Sequence, residues 1–187
     1  MKKLVLIAVV LIFSLTSVTA QDVSFGAKAG INFSSLNGDD DDLDGKTSFH
    51  FGGVAEIPVS DVFSVQPELI FSIQGAKDGD IKFNVSYLNL PIMAKYYVGE
   101  GISIEAGPQI GFLMDAKVKD DNTSVDVKDE TKGIDFGLGI GAGYKVDSGL
   151  NFALRYNIGL SNIVDEDDAG NFELKNGVFQ VSVGFFF

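Results

Sequence analysis

Ile134-Asp-Phe-Gly-Leu-Gly-Ile-Gly-Ala-Gly-Tyr144-Lys145 decides the fold. Ile134, Phe136, Leu138, Ile140, Ala142 and Tyr144 take every second position; Asp135, Gly137, Gly139, Gly141, Gly143 and Lys145 take those between. Side chains of an extended chain alternate between two faces, so one face here is wholly apolar and the other carries only glycine and charge. A helical winding would scatter both sets around the axis. The run also exceeds the ~5–6 residues of an ordinary globular strand and matches the ~9–11 of a tilted strand crossing a bilayer.

The same period runs through the rest of the chain beyond residue 22. Phe25, Ala27, Ala29, Ile31 and Phe33 alternate with Gly26, Lys28, Gly30 and Asn32. Phe49, Phe51, Ala55 and Ile57 oppose His50, Gly52 and Glu56, and Phe63, Val65, Leu69, Phe71 and Ile73 oppose Ser64, Gln66, Glu68, Ser72 and Gln74. Further segments start at Leu88, Ile102, Leu150 and Phe179, the last running to Phe187. With the segment at Ile134 these predict an all-β, eight-stranded antiparallel up-and-down transmembrane β-barrel.

Charge follows the alternation. Lys28, Glu56, Glu68, Lys95, Glu105, Asp115, Asp135, Lys145 and Arg155 all sit on the polar parity of their segments. In a membrane barrel that parity faces the lumen, and eight strands leave an interior just wide enough for side chains to fill. Charges there must be paired or hydrogen-bonded. The nine residues are therefore expected to form a lumen polar network, either a packed plug or the lining of a narrow conduit. The glycines of the Ile134 segment leave room for a long opposing side chain or for a thin water-filled gap. Three apolar residues, Ile70, Leu113 and Phe186, break the polar parity, and Phe83, Val85 and Tyr87 run out of phase with Leu88 onward. The phase change predicts a bulge near Tyr87.

Connections alternate in length. Short ones fall at Ser60-Asp61, Gly99-Glu100-Gly101 and Asp147-Ser148-Gly149; longer ones run over 35–47, 75–82, 117–133 and 161–176. Tight periplasmic turns and longer outer loops are the pattern of an outer-membrane barrel. Phe25, Phe63, Tyr96, Tyr97, Tyr144, Phe152, Phe185 and Phe187 gather near one inferred interface, and Phe33, Phe49, Phe71, Phe83, Tyr87, Phe136 and Phe179 near the other, as two aromatic girdles would.

The first twenty residues read as a secretory signal peptide, 1–20, ahead of a barrel domain over 21–187. Lys2 and Lys3 precede the apolar stretch from Leu4 to Val18, and Val18-Thr19-Ala20 supplies the small residues of a cleavage site. Cleavage there removes two of the 14 basic residues and takes the formal charge from −12 to −14.

That acidic balance excludes a nucleic-acid-binding surface. The absence of cysteine excludes disulfides, thiolate catalysis and thiolate-held metals, and His50 is the only histidine. No cofactor is expected: Gly137-x-Gly139-x-x-Ala142 fits the loose dinucleotide fingerprint, but it lies inside a strand rather than at a strand-to-helix turn. The acids concentrate in two outer loops. Asp39, Asp40, Asp41, Asp42 and Asp44 accompany Lys46; Asp165, Glu166, Asp167, Asp168 and Glu173 accompany Lys175. Asp40-x-Asp42-x-Asp44-Gly45 copies the first half of a calcium loop, with Phe51 where the bidentate glutamate belongs. Asp40, Asp42 and Asp44 are thus candidate ligands for weak divalent-cation binding, against the plainer reading of a solvated acidic loop. His50 is the only candidate general base for a rim enzyme, with Ser35, Ser48 or Ser72 as neighbours, and a triad requires mutual geometry that residue types alone do not supply.

Three motifs carry a family resemblance. Phe25-Gly-Ala-Lys-Ala-Gly-Ile-Asn32, Tyr87-Leu-Asn-Leu-Pro-Ile-Met-Ala-Lys-Tyr-Tyr97 and Gly107-Pro-Gln-Ile-Gly111 resemble the small porin-family outer-membrane β-barrel proteins of Bacteroidota-type bacteria. The closing Phe-Gln-Val-Ser-Val-Gly-Phe-Phe-Phe187 resembles the C-terminal strand recognised by the barrel assembly machinery. The resemblance implies a cell outer-membrane location, outer-membrane lipid and that machinery as partners, and no catalytic motif. The functional expectation is a monomeric, non-enzymatic small barrel with a structural or surface-display role and acidic extracellular loops. The alternatives are a narrow low-conductance porin or channel, and an outer-rim enzyme using His50.

Overall fold

A computed structural model describes residues 23–38, 44–120, 123–164 and 173–187. Eight long strands carry the fold: β1 (Ser24–Gly38), β2 (Asp44–Ser60), β3 (Phe63–Asp78), β4 (Ile81–Tyr97), β5 (Ile102–Lys119), β7 (Ile134–Lys145), β8 (Leu150–Gly159) and β9 (Leu174–Phe186). A short strand, β6 (Ser124–Asp126), folds back on the outer end of β5. Every pairing is antiparallel, and β1 closes the sheet against β9 from Gly26↔Phe186 to Gly38↔Leu174. Closure removes the exposed edge that a long apolar strand would otherwise present.

The alternation of the sequence becomes inside and outside. Ile31, Phe51, Leu69, Ile104, Leu138, Leu154 and Val183 point outward and are exposed, while Asn32, Glu68, Glu105, Arg155 and Ser182 are buried in the lumen. The closed antiparallel barrel of eight spanning strands is the expected one.

The three short connections gather at one end of the barrel, the end that their length makes the periplasmic one. Two of them turn through Gly101 (φ +72) and Gly149 (φ +93), a left-handed backbone that only glycine adopts cheaply. At the outer end the structure differs from expectation. The connection over 75–82 is strand almost throughout: β3 and β4 stay paired to Asp78↔Ile81 and turn at Gly79 (φ +54). β1 to β5 span 15 to 18 residues each, against ~9–11 needed for the hydrocarbon, so this side of the barrel projects as paired arms.

The bulge falls near Tyr87, but the extra residue lies on the partner strand. Ser86 pairs with Asp115 and Tyr87 with Leu113, which leaves Met114 as the added residue of β5. β4 therefore keeps one phase, and Val85 and Tyr87 turn into the barrel. With Leu113 and Ala116 they form a buried apolar cluster, and Leu36, Ala76 and Ile163 form a second beside it; Phe83 packs against both. These clusters cap the lumen at its outer end and take Tyr87 and Phe83 out of the aromatic girdle. Tyr97 also leaves its girdle, because its hydroxyl reaches inward to Glu56.

Candidate functional site: the barrel lumen

The lumen is layered along its axis. At the periplasmic mouth a cavity of about 840 Å³ opens, lined by Ser64, Tyr97, Lys145 and Phe186 with Glu56 at its floor. Glu56 accepts from Lys145 Nζ (3.1 Å), Lys95 Nζ (3.5 Å) and the Tyr97 hydroxyl. Phe186 sits within this charged layer for a physical reason. Its ring lies 4.6 Å below Lys145 Nζ, and it packs on Val54 and Ile70. A cation over an aromatic face and an apolar contact on its flank explain two of the residues that break the polar parity.

The central layer is the tightest. Arg155 grips Glu68 through two parallel bonds, Nη1 to Oε2 at 2.9 Å and Nη2 to Oε1 at 2.7 Å, and its Nε donates to Glu105 Oε1 at 2.8 Å. Glu68 also accepts from Lys28 (3.4 Å) and from Gln66 Nε2 (2.6 Å). The glycines of β7 make this possible. A Cβ on Gly139 would stand 2.9 Å from Asn157 Oδ1 and 3.4 Å from Arg155 Cδ, and one on Gly141 would stand 3.2 Å from Glu105 Oε1. At Gly139 and Gly141 the wall without side chains is filled by Arg155 and Glu105.

Above it lies a neutral layer. Asn32 Nδ2 donates to the Ile73 carbonyl (2.8 Å) and to Ser72 Oγ (3.0 Å), which leaves its Oδ1 as an acceptor. His50 Nδ1 faces that oxygen at 2.7 Å, and its Nε2 faces Ser182 Oγ at 2.9 Å. The order of donors assigns the proton to Nδ1 and makes Nε2 the acceptor of the serine hydroxyl. This is a serine–histidine–asparagine line, with Ser182 in place of the expected Ser35, Ser48 or Ser72 and no carboxylate. His50 and Ser182 are only 1% and 5% exposed, so the pair lies within the packed interior rather than on the rim. Only the register of β1, β2 and β9 brings these three residues together, which is why residue types alone missed Asn32 and Ser182.

Asp135 closes the polar column. It accepts from Ser161 Oγ (2.7 Å) and Asn176 Nδ2 (2.9 Å), with no Lys or Arg in bridging range among the described residues. Asp115 departs from the expected network. The Met114 bulge turns it outward, its side chain is 42% exposed, and it bridges Lys117 at 2.8 Å. Lys28, Lys95, Lys145 and Arg155 then balance Glu56, Glu68, Glu105 and Asp135, four charges of each sign. Of the candidate cation ligands, Asp44 begins β2, and Asp40 and Asp42 lie outside the described residues. Residues 1–20, read as the signal peptide, also lie outside them.

A family model described as "Outer membrane protein beta-barrel domain" matches residues 19–165. The chain belongs to this family. It lies in the outer membrane. Among solved structures, this outer-membrane barrel is similar to Ail, the attachment invasion locus protein of Yersinia pestis, at 15% identity and a TM-score of 0.58, covering 89% of this chain and 100% of Ail. It is also similar to Neisserial surface protein A, at 12% identity and a TM-score of 0.61, with the same coverage of each chain. At such identities the likeness is one of fold. No curated protein matches the chain.

Proposed function

We propose that this is a monomeric, non-enzymatic outer-membrane barrel whose lumen is a structural plug and whose outer loops display an acidic surface. The observation that carries the reading is the Arg155–Glu68–Glu105 layer, with all three residues buried and Arg155 and Glu105 against the glycine wall of β7. A polar column of balanced charge under an apolar cap is what a barrel needs to hold its shape, and it suits a plug better than a conduit. The porin-family proteins of Bacteroidota-type bacteria, which the chain resembles at three motifs, supply the frame for such a role. One of the similar structures is that of an attachment invasion locus protein, and contact with other surfaces suits the acidic loops here as well.

Planar-bilayer recording tests this. The plug reading expects no discrete conductance from the purified, reconstituted protein; stable unitary steps would favour the narrow channel. The channel reading has one observation on its side, the open periplasmic cavity above Glu56 and Lys145. Weak divalent-cation binding through Asp40, Asp42 and Asp44 belongs to the display role. Calorimetric titration with calcium checks it, and no heat at millimolar calcium ends it. Recognition of the C-terminal strand by the assembly machinery is part of the same proposal.

A further inference from the structure

The outer arms carry a feature that runs against the charge of the whole molecule. Lys77 of β3 pairs directly with Lys82 of β4, and Lys82 pairs directly with Lys119 of β5. Directly opposed residues on adjacent antiparallel strands project to the same face, with Cβ atoms ~4.5–5.5 Å apart, and like charges so placed are destabilising. Lys46 joins them. Its Nζ reaches across to the Gln74 carbonyl (3.5 Å) and to Asn84 Oδ1, within electrostatic range of Lys82 and Lys119.

None of these four lysines forms an ion pair among the described residues. Asp44 stands opposite Lys77 at one end of the row. Asp78, next in sequence to Lys77, alternates to the other face. Lys117, by contrast, is satisfied by Asp115 and faces Asp126, so it lies outside the row. Lys82 is thus flanked by lysine on both sides, in a protein of formal charge −12.

The row has a definite height. The lipid-facing apolar side chains end at Ile73 on β3, which is in register with Ser86 and, across the bulge, Asp115. Lys77, Lys82 and Lys119 lie four residues further out. Four residues rise ~13 Å along a strand, or ~9 Å along the membrane normal at a 45° tilt. Lys77, Lys82 and Lys119 sit on the outward face at about the height of the headgroup layer, with Lys77 and Lys82 one pair below the Asp78↔Ile81 turn.

We propose that Lys46, Lys77, Lys82 and Lys119 bind the phosphate groups of a phosphorylated glycolipid in the outer leaflet. A bound phosphate turns the repulsion of the row into attraction, and charge-assisted bonds from ammonium groups to phosphate are among the stronger ones. Overall charge predicts the opposite: a polyanionic chain should be repelled by anionic lipid.

Thermal unfolding in vesicles tests this. The protein and its Lys82→Gln/Lys119→Gln variant are compared in phosphatidylcholine vesicles containing either diphosphoryl lipid A or its dephosphorylated form. The native chain is expected to melt higher with the phosphorylated lipid, by about 2–4 °C per kcal/mol of binding. The variant should lose that gain while melting no lower than the native chain in the dephosphorylated vesicles, because the like-charge strain is relieved. A native chain indifferent to lipid phosphate, or a variant that keeps the gain, overturns the proposal. So does soluble tripolyphosphate raising the melting point equally in phosphatidylcholine alone, since the site would then be one for free phosphate. Lys82→Gln alone serves if the double variant fails to fold; it should lose part of the gain, and an undiminished gain overturns the proposal.

Discussion

Arg155 and Glu68 meet through two parallel hydrogen bonds of 2.9 and 2.7 Å at the centre of the lumen, joining β8 to β3 across the barrel. The pair is fully enclosed, so removing one partner strands the other. Glu68→Gln leaves Lys28 and half of Arg155 uncompensated and should cost about 3–5 kcal/mol. Replacing both residues together, as Arg155→Met/Glu68→Leu, should cost less than either single change, because Lys28 and Glu105 remain to pair with each other. Urea unfolding of the reconstituted variants measures the difference, and additive losses would contradict it.

Asp135 makes the opposite case. It is held by a serine hydroxyl and an asparagine amide, with no bridging cation among the described residues. Asp135→Asn keeps the shape and a hydrogen-bonding oxygen, so the expected change is within about 1 kcal/mol. A loss as large as that of Glu68→Gln would mean a partner charge lies close to it.

The glycine wall should be intolerant where it faces Arg155. A Cβ on Gly141 would lie 2.4 Å from the Leu154 carbonyl oxygen and 3.1 Å from Arg155 Cα, both backbone atoms that cannot swing aside. Gly141→Val should destabilise by about 1–3 kcal/mol or more. Gly53→Ala is the control: the nearest atom to its Cβ is 4.0 Å away, and no loss is expected.

The last two residues should separate folding from assembly. Phe186 is buried against Val54 and Ile70, so Phe186→Ala should cost about 3–5 kcal/mol. Phe187 is 82% exposed, and Phe187→Ala should leave unfolding unchanged while slowing insertion by the assembly machinery. Unchanged insertion rates would remove Phe187 from the recognition signal.

The architecture was legible because its cause is local. Lipid on one side and a packed lumen on the other impose a period of two, and Ile134 to Lys145 display it without a neighbour's help. What escaped depends on pairs of strands. The Met114 bulge is written in β5 but reads as a phase error in β4, so Val85 and Tyr87 gave no sign that they cap the lumen. The same bulge moved Asp115 out of the charge network. His50 needed the register of three strands before Asn32 and Ser182 became its partners. The row Lys77–Lys82–Lys119 joins residues from three strands and exists only as a register.

The most direct test places single cysteines in a chain that has none. Val181→Cys and Leu154→Cys on the outer face, and Ser182→Cys on the inner face, are labelled with a fluorophore in the unfolded chain and refolded into vesicles carrying a bilayer-phase nitroxide quencher. The two outer labels should be strongly quenched, and the inner label should either escape quenching or prevent folding. Quenching of the label at residue 182, with those at 154 and 181 dark to the lipid and open to aqueous iodide, would invert the barrel and contradict the account.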